Sequence, residues 1–384
     1  MTGEIRIPFV KVALDDDDVA AVEAVLRSGW LTTAGQVKAL EEELAAYTGA
    51  RFVNAVNSAT AAMHLALAAW DVGPGDEVIT TPYTFTATAN VVIHTGATPV
   101  LVDVRERDAN IDPELVERAI TPRTKVILPV HIAGEPCDMD AIMDIARRRR
   151  LKVLEDAAHA IGTVYKGRPV GTVGDAAAFS FYANKTMTTG EGGALATDDE
   201  ALSERVRVLT LHGMTKDAWN RYDAGGSWKY DIREFGFKDN LTDIAAGLGR
   251  SQLKKIESFI EARTRVAQRY FANLKDQEHL ILPAFSEESR HPWHLFMIRI
   301  RNESSPVPRD DVIRALAERG IGTSVHFIPL HYFTAYQNLG RWVHGDFPVA
   351  ERFFEGEISL PMYPGMTGAE VDEVCQALRE ILSP

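Results

Sequence analysis

The chain has 384 residues, 46% of them hydrophobic, 25% charged and 8% aromatic, the proportions of an ordinary soluble protein with room for one large core and one small one. A formal charge of −13 argues against nucleic acid as a general partner, because that use demands a basic face, and an anionic ligand would need a local basic pocket. The two cysteines, Cys137 and Cys375, lie far apart without metal-ligand spacing, and no apolar run approaches the roughly 20 residues of a membrane helix, so a disulfide scaffold, a zinc site and a membrane span are not expected.

The N-terminal stretch MTGEIRIPFVKVALDDDD lacks both the basic and the apolar region of a signal peptide, and a cytoplasmic location is expected. From Asp15 to Gly29, acidic residues precede Val19, Val22, Val25 and Leu26 on one face, which predicts a helix ended by the glycine. A second helix, about Gln36 to Tyr47, leads into a strand from Arg51 to Asn57, and Ser58 opens a long apolar helix to Trp70. At that junction the backbone N–H groups of a helix start meet the hydroxyls of Ser58 and Thr60, with Ala59 between them. This is a candidate phosphate cradle, although a serine there is commonly only a cap.

The strand Val78 to Thr81 precedes PYTFTATAN, in which Tyr83 and Phe85 read either as core or as pocket wall. Strands Pro99 to Val104, Lys125 to His131 and Lys152 to Leu154 then alternate with helices Pro113 to Ile120 and Asp138 to Arg149. That pattern predicts right-handed βαβ units and a mostly parallel sheet with helices on both faces. Strands Ala176 to Phe181 and Ala194 to Thr197 follow, then a helix from Asp199 to about Leu211. The loop from His212 to Phe237 carries Trp219, Tyr222, Trp228 and Tyr230, and its length suggests a functional loop or one ordered by a partner subunit.

Asn240 precedes a helix rich in small residues, and a charged helix around Gln252 to Leu274 leads into a second region. There we expect strand Trp293 to Ile300, helix Asp310 to Arg319, strands Thr323 to Phe327 and Ile358 to Pro361, and a last helix opened by Thr367 and Glu370 at capping-box spacing. The expected organisation is a large α/β domain over residues 1–255 and a small α+β domain over residues 256–384.

The chemistry concentrates in LKVLEDAAHAIGTVYKGRPVGTVGDAAAFSFYANKTMTTGEGG, residues 151–193. Glu155 and Asp156 end one apolar run and Lys185 follows another, and parallel sheets keep their ligands at the C-terminal ends of such strands. Asp156 and Lys185 are thus candidates to face one crevice. Taken singly, an Asp at a strand end is commonly a cap and a loop Lys is commonly solvated.

The whole string, with EDAAHA, Ser180 in SFYANK, and TTGEGG, resembles the sugar-nucleotide aminotransferases of the DegT/StrS family, within the fold-type I enzymes that use pyridoxal 5'-phosphate (PLP). The resemblance runs over essentially the whole chain. It is closest to the branch that makes 4-amino-4-deoxy-arabinose on UDP, through EDAAHA, SFYANK, DNLTDI, WHLF and ERGIGT. It implies PLP held as a Schiff base on Lys185, with Asp156 beside the pyridine nitrogen to keep it cationic. By the same resemblance Phe85 and His159 lie against the ring, Ser180 joins Ser58, Ala59 and Thr60 of the candidate cradle in holding the phosphate, and Asn240 reaches the phosphate of the other subunit of a homodimer. Tyr83 and Tyr182, which differ from their family counterparts, are candidate substrate-binding residues, and His326 and His331 read as substrate-pocket or packing residues rather than metal ligands.

The implied reaction moves an amino group from L-glutamate, released as 2-oxoglutarate, to a 4-keto sugar carried on a nucleotide, UDP being favoured, in polysaccharide or lipopolysaccharide biosynthesis. Amination at C3 is the alternative within the same class. A sugar dehydratase of the family would normally carry His in place of Lys185, and a non-catalytic sensor would keep the cofactor without turnover. A Walker A sequence, a dinucleotide fingerprint, a Gly-x-Ser-x-Gly elbow and a His-Glu-x-x-His pair are all missing from the sequence, and no metal is expected.

Overall fold

Asp15 accepts the N–H of Asp18 while the Asp18 carboxylate accepts that of Asp15, a capping box that starts α1 (Asp16–Ser28); Gly29 ends it in the left-handed region at φ 76°. In the computed structural model, which describes residues 4–214 and 230–383, the chain continues through α2 (Gly35–Thr48), β1 (Phe52–Val56), α3 (Ala59–Ala69), β2 (Glu77–Thr80), α4 (Ala87–His94), β3 (Thr98–Leu101), α5 (Pro113–Ala119) and β4 (Thr124–Ile127). Next come α6 (Met139–Arg149), β5 (Lys152–Asp156), β6 (Val164–Tyr165), β7 (Arg168–Pro169), β8 (Ala176–Ser180), β9 (Gly193–Thr197), α7 (Glu200–Leu209) and α8 (Asp243–Leu274). The rest comprises β10 (Leu280–Ile281), β11 (Ser289–Arg290), β12 (Phe296–Ile300), α9 (Arg309–Glu318), α10 (Thr334–Gln337), α11 (Pro348–Gly356), β13 (Glu357–Leu360) and α12 (Gly368–Ile381).

Seven strands form the main sheet in the order β1-β9-β8-β5-β4-β2-β3. β8, β5, β4, β2 and β3 are parallel, and β9 runs antiparallel to both β8 and β1. Side chains on β8 alternate between two cores, Ala176 and Ala178 with α3 and α7, Ala177 and Phe179 with α2 and α8. A strand buried on both faces carries no polar-apolar alternation, which is why β8 reads as the unbroken apolar run AAAF. The chain is an α/β protein with the mixed, mostly parallel sheet and flanking helices of a fold-type I PLP transferase.

α8 links this sheet to the second core. Leu253, Ile256 and Ile260 pack under the main sheet, whereas Val266, Ala267, Tyr270 and Leu274 pack with β12, β13, α9 and α12. The division expected after residue 255 falls within this helix, and Ile7 from the N-terminus packs in the C-terminal core beside Ile321.

Two expectations are corrected. The helix expected after Asn240 and the one expected around Gln252 to Leu274 are one continuous helix, α8, which the Thr242 hydroxyl caps by accepting the N–H of Ala245. Asp243 in turn takes the N–H groups of Ala34, Gln36 and Val37 at the start of α2. The strand expected over Thr323 to Phe327 is instead a single bridge, Ser324 to Ser359, because residues 326 and 327 turn toward the cavity described next.

Candidate active site

A cavity of about 440 Å³ opens where β5 and β8 end, at the start of α3 and beside His326 and Phe327. Asp156 is the last residue of β5 and Lys185 lies five residues beyond the end of β8; both line this cavity. The Asp156 carboxylate is buried and accepts the Thr88 hydroxyl at 2.7 Å and the Ala158 N–H at 3.2 Å. An ionised carboxylate only accepts, so Thr88 spends its proton on Asp156 and accepts that of Thr84, 2.8 Å away. Burial raises the pKa of Asp156, while Thr88, the Ala158 N–H and the charge of Lys185 oppose the rise. Burial likewise pushes the Lys185 ammonium down to about 8, with Asp156 opposing.

Three imidazoles surround this pair. The Nδ1 of His159 accepts the N–H of Ala133 at 3.2 Å, so its proton sits on Nε2. Its ring lies 4.3 Å from that of His294 and stacks on Phe327 at 5.9 Å and 17°. Burial drives both His159 and His294 well below the usual range, and pushes His326 down to about 4. All three rings are neutral near pH 7, and Lys185 is left as the cavity's cation.

The far end of the cavity is the first turn of α3. Ser58 caps the helix, its hydroxyl oxygen accepting the N–H of Ala61 at 3.0 Å, so the N–H groups of Ala59 and Thr60 are the orphan donors of a helix start that face the cavity. The turn sits against β9 so closely that a Cβ on Gly193 would stand 2.4 Å from the Ser58 carbonyl carbon and 2.5 Å from the Ala59 nitrogen. Ser180, paired with Gly193 across β8 and β9, brings its hydroxyl to the same end.

Ten residues singled out in the sequence therefore line one cavity: Ser58, Ala59, Thr60, Phe85, Asp156, His159, Ser180, Tyr182, Lys185 and His326. Phe85 and Tyr182 are its exposed aromatic rims. Two others expected to bind substrate do not line the cavity. Tyr83 is fully buried and gives its hydroxyl proton to the carbonyl of His326 at 2.7 Å, bracing the cavity wall from behind. His331 is buried away from the cavity, 2.9 Å from Glu351 and packed edge-on against Phe347. Asn240 lines a separate cavity of about 560 Å³, bonded to the Thr33 hydroxyl at 2.6 Å. Of the aromatic loop, Trp219, Tyr222 and Trp228 lie outside the described residues, and Tyr230 is exposed.

The model of the DegT/DnrJ/EryC1/StrS aminotransferase family matches residues 12–379. The chain belongs to this family. It is 48% identical over 377 residues to the spore coat polysaccharide biosynthesis protein SpsC of Bacillus subtilis, covering 98% of this chain and 97% of that protein. Among solved structures it is similar to the putative sugar aminotransferase Spr1654 of Streptococcus pneumoniae in its PMP form, with TM-score 0.93 and 37% identity over 98% of this chain and 99% of that one. It is also similar to PseC of Helicobacter pylori, described as an aminotransferase involved in the biosynthesis of pseudoaminic acid, with TM-score 0.89 and 30% identity over 98% and 99% of the two chains.

The cavity and its supports include residues that sequence reasoning missed: Thr84, Thr88, His294, Phe327 and Gly193. Thr84 and Thr88 stand one helical turn apart in PYTFTATAN, a spacing that could have drawn attention to them. Among the described residues, no group of three or more His, Cys, Asp or Glu is placed to hold a metal ion, and no helix is long and apolar enough to cross a membrane.

Proposed function

We propose that this aminotransferase carries PLP on Lys185 and moves an amino group from L-glutamate to C4 of a keto-sugar linked to a nucleotide, UDP in the reading favoured by the EDAAHA, SFYANK, DNLTDI, WHLF and ERGIGT segments. The observation that carries this reading is that Lys185 and Asp156 line one cavity whose other end is the start of a helix. When bound, PLP supplies an electron sink for the charge left when a proton departs from the carbon next to the transferred nitrogen.

The residues present fit that group. The orphan N–H groups of Ala59 and Thr60, with the hydroxyls of Ser58, Thr60 and Ser180, match a phosphate, and the close approach that Gly193 permits keeps the cradle tight. Asp156, buried and held by Thr88, favours a proton on a ring nitrogen beside it. Lys185, with its ammonium brought down to about 8 by burial, has an uncharged amine available near neutral pH to take up and return a proton. Phe85 and His159 offer flat faces for the ring, and Tyr182 and His326 offer polar groups for the sugar. We further propose that Asn240, outside this chain's own cavity, completes the site of a second copy in a homodimer.

The test is spectroscopic. Glutamate should convert the yellow, borohydride-reducible chromophore of the holoenzyme to the pyridoxamine form, and Lys185→Ala should lack the reducible adduct. An unchanged adduct in that variant would remove Lys185 from its role. A panel of 4-keto and 3-keto sugars on different nucleotides, each offered to the pyridoxamine form, then assigns the acceptor. Turnover of the 3-keto members alone would overturn C4 amination.

A further inference from the structure

His326 stands between the cavity and a buried acid. Its ring Nδ1 is 2.8 Å from the Ser359 hydroxyl oxygen, which is 2.5 Å from Oε1 of Glu357. The other oxygen of Glu357 accepts the backbone N–H of His326 at 2.7 Å, and Tyr83 holds the His326 carbonyl. Glu357 and Ser359, two apart on β13, are both fully buried, so solvent does not compete for these bonds.

We propose that Glu357, acting through Ser359, decides which ring nitrogen of His326 carries the proton, and so whether His326 offers the substrate a hydrogen-bond acceptor or a donor. The inference rests on the reading of the cavity as the substrate site. Its basis is that a hydroxyl has one proton to give, which makes the chain of bonds directional. When Glu357 is ionised, Ser359 donates to the carboxylate and must accept from Nδ1–H. Nε2, the nitrogen left for the cavity, is then a bare lone pair. When Glu357 is protonated, it donates to Ser359, Ser359 donates to Nδ1, and Nε2 carries the proton.

Passing from the second state to the first releases one proton from Nε2. The Ser359 proton moves to Nδ1, the Glu357 proton moves to Ser359, and the negative charge appears on Glu357, away from the substrate. His326 can thereby give up a proton in the cavity without the cavity itself becoming charged. Burial pushes Glu357 up to about 8, opposed by Ser359, the His326 N–H and Arg309, so both states are within reach of working pH. Burial keeps the ring itself from becoming cationic in that range, since His326 is pushed down to about 4.

The other charged and titratable groups facing this chain are Arg309, Arg299, Tyr83 and Lys185. Arg309 of α9 donates to the Glu357 carbonyl and pairs with Asp310, and Arg299 of β12, opposite Glu357 in register, pairs with Glu106. Tyr83 is raised well above its ordinary value by burial and stays protonated. Lys185, on the cavity side, acts on the His326 ring rather than on Glu357. Lys185 is itself brought down to about 8 by burial, so Glu357 is the group whose charge changes within the chain of bonds through Ser359, while Lys185 changes charge on the cavity side.

The experiment is 15N NMR of the histidine rings in the holoenzyme, with the His326 signals assigned by their loss in His326→Gln. In the wild-type chain we expect the Nε2–H tautomer at pH 6.5 and the Nδ1–H tautomer at pH 9.5. Glu357→Gln, whose amide donates permanently to Ser359, should hold the Nε2–H form at both pH values, and Ser359→Ala should abolish the dependence on pH. If the wild type shows one tautomer at both pH values, or if Ser359→Ala switches as the wild type does, the relay is wrong; these two arms decide the matter even if Glu357→Gln does not fold. Tautomers are read without turnover, so a chain that switches but transfers no amine would refute the proposed reaction and leave the relay standing.

Discussion

Removing the Thr88 hydroxyl tests whether Asp156 acts as an anion tuned by its neighbours. Thr88→Val keeps the shape of a fully buried side chain and deletes one of the two protein donors to the Asp156 carboxylate, leaving the Ala158 N–H. A hydrogen bond to a charged group is worth about 1.5–3 kcal/mol, and each 1.36 kcal/mol is tenfold in proton affinity, so Asp156 should hold its proton roughly 10- to 100-fold more tightly. The sign follows from the acid being easier to protonate when a donor to its ionised form is lost. The acid limb of the rate profile must therefore move to higher pH. Stopped-flow conversion of the holoenzyme by glutamate, followed across pH, should show a rate near neutrality lower by up to a similar factor. Unaltered rates with an unmoved acid limb would refute the reasoning. A lower melting temperature with the limb unmoved would mean that Thr88 serves packing alone.

Gly193→Ala would place a Cβ 2.4 Å from the Ser58 carbonyl carbon and 2.7 Å from the Phe179 carbonyl oxygen, forcing α3 away from β9. The expected cost is about 1–3 kcal/mol of stability with roughly tenfold or more weaker PLP binding, read by fluorescence titration. Glu357 is held up at about 8 against an ordinary 4.5, so the folded chain binds this proton more tightly than the unfolded one, and its contribution to stability falls as pH rises from about 4.5 to about 8. Glu357→Gln should flatten that decline in melting temperature; a curve parallel to the wild type would show that Glu357 does not cause it. Arg263 is buried and donates from one nitrogen to the carbonyls of Trp293, His294 and Met362, tying α8 to the wall that carries His294. Arg263→Met should lower stability by about 2–4 kcal/mol in denaturant unfolding, and a loss below 1 kcal/mol would show that those carbonyls find other partners.

The sequence was most legible where chemistry and local structure coincide. Asp15, Ser58 and Thr367 cap the helices they were expected to open, and apolar runs mark β5 and β8. Direction was harder to read. Glu155 and Asp156 look like a carboxylate pair, but successive strand residues point to opposite faces. Asp156 enters the cavity, while Glu155 is buried against the His131 ring at 2.8 Å and the Gly174 N–H at 2.8 Å. Tyr83 and Phe85, in the loop between β2 and α4, also divide between interior and cavity. His326 and His331 share one short segment and look equivalent in sequence. They are separated by partners distant in the chain, Ser359 and Glu357 for the first and Glu351 for the second. No local pattern encodes those contacts, because they depend on where β13 and α11 pack against the loop.

The cavity's electrostatics follow from one constraint. The inner wall of this cavity carries one ammonium and one buried carboxylate, Lys185 and Asp156, with Glu191 exposed at the mouth, and each further charge buried there would carry a desolvation cost of its own. His159, His294 and His326 meet the constraint by staying neutral. Neutral imidazoles still donate and accept hydrogen bonds, so they serve polar recognition without holding Lys185 in competition with neighbouring cations. Replacing His294 with lysine would break this arrangement: two ammonium groups in one cavity repel, so both would lose protons more readily, and the rise in rate with pH that reports the uncharged Lys185 amine would move to lower pH. Replacement with glutamine keeps a neutral polar group and should leave that rise in place. If His294→Lys left it unmoved in a folded holoenzyme, the amine it reports would not be Lys185 in this cavity.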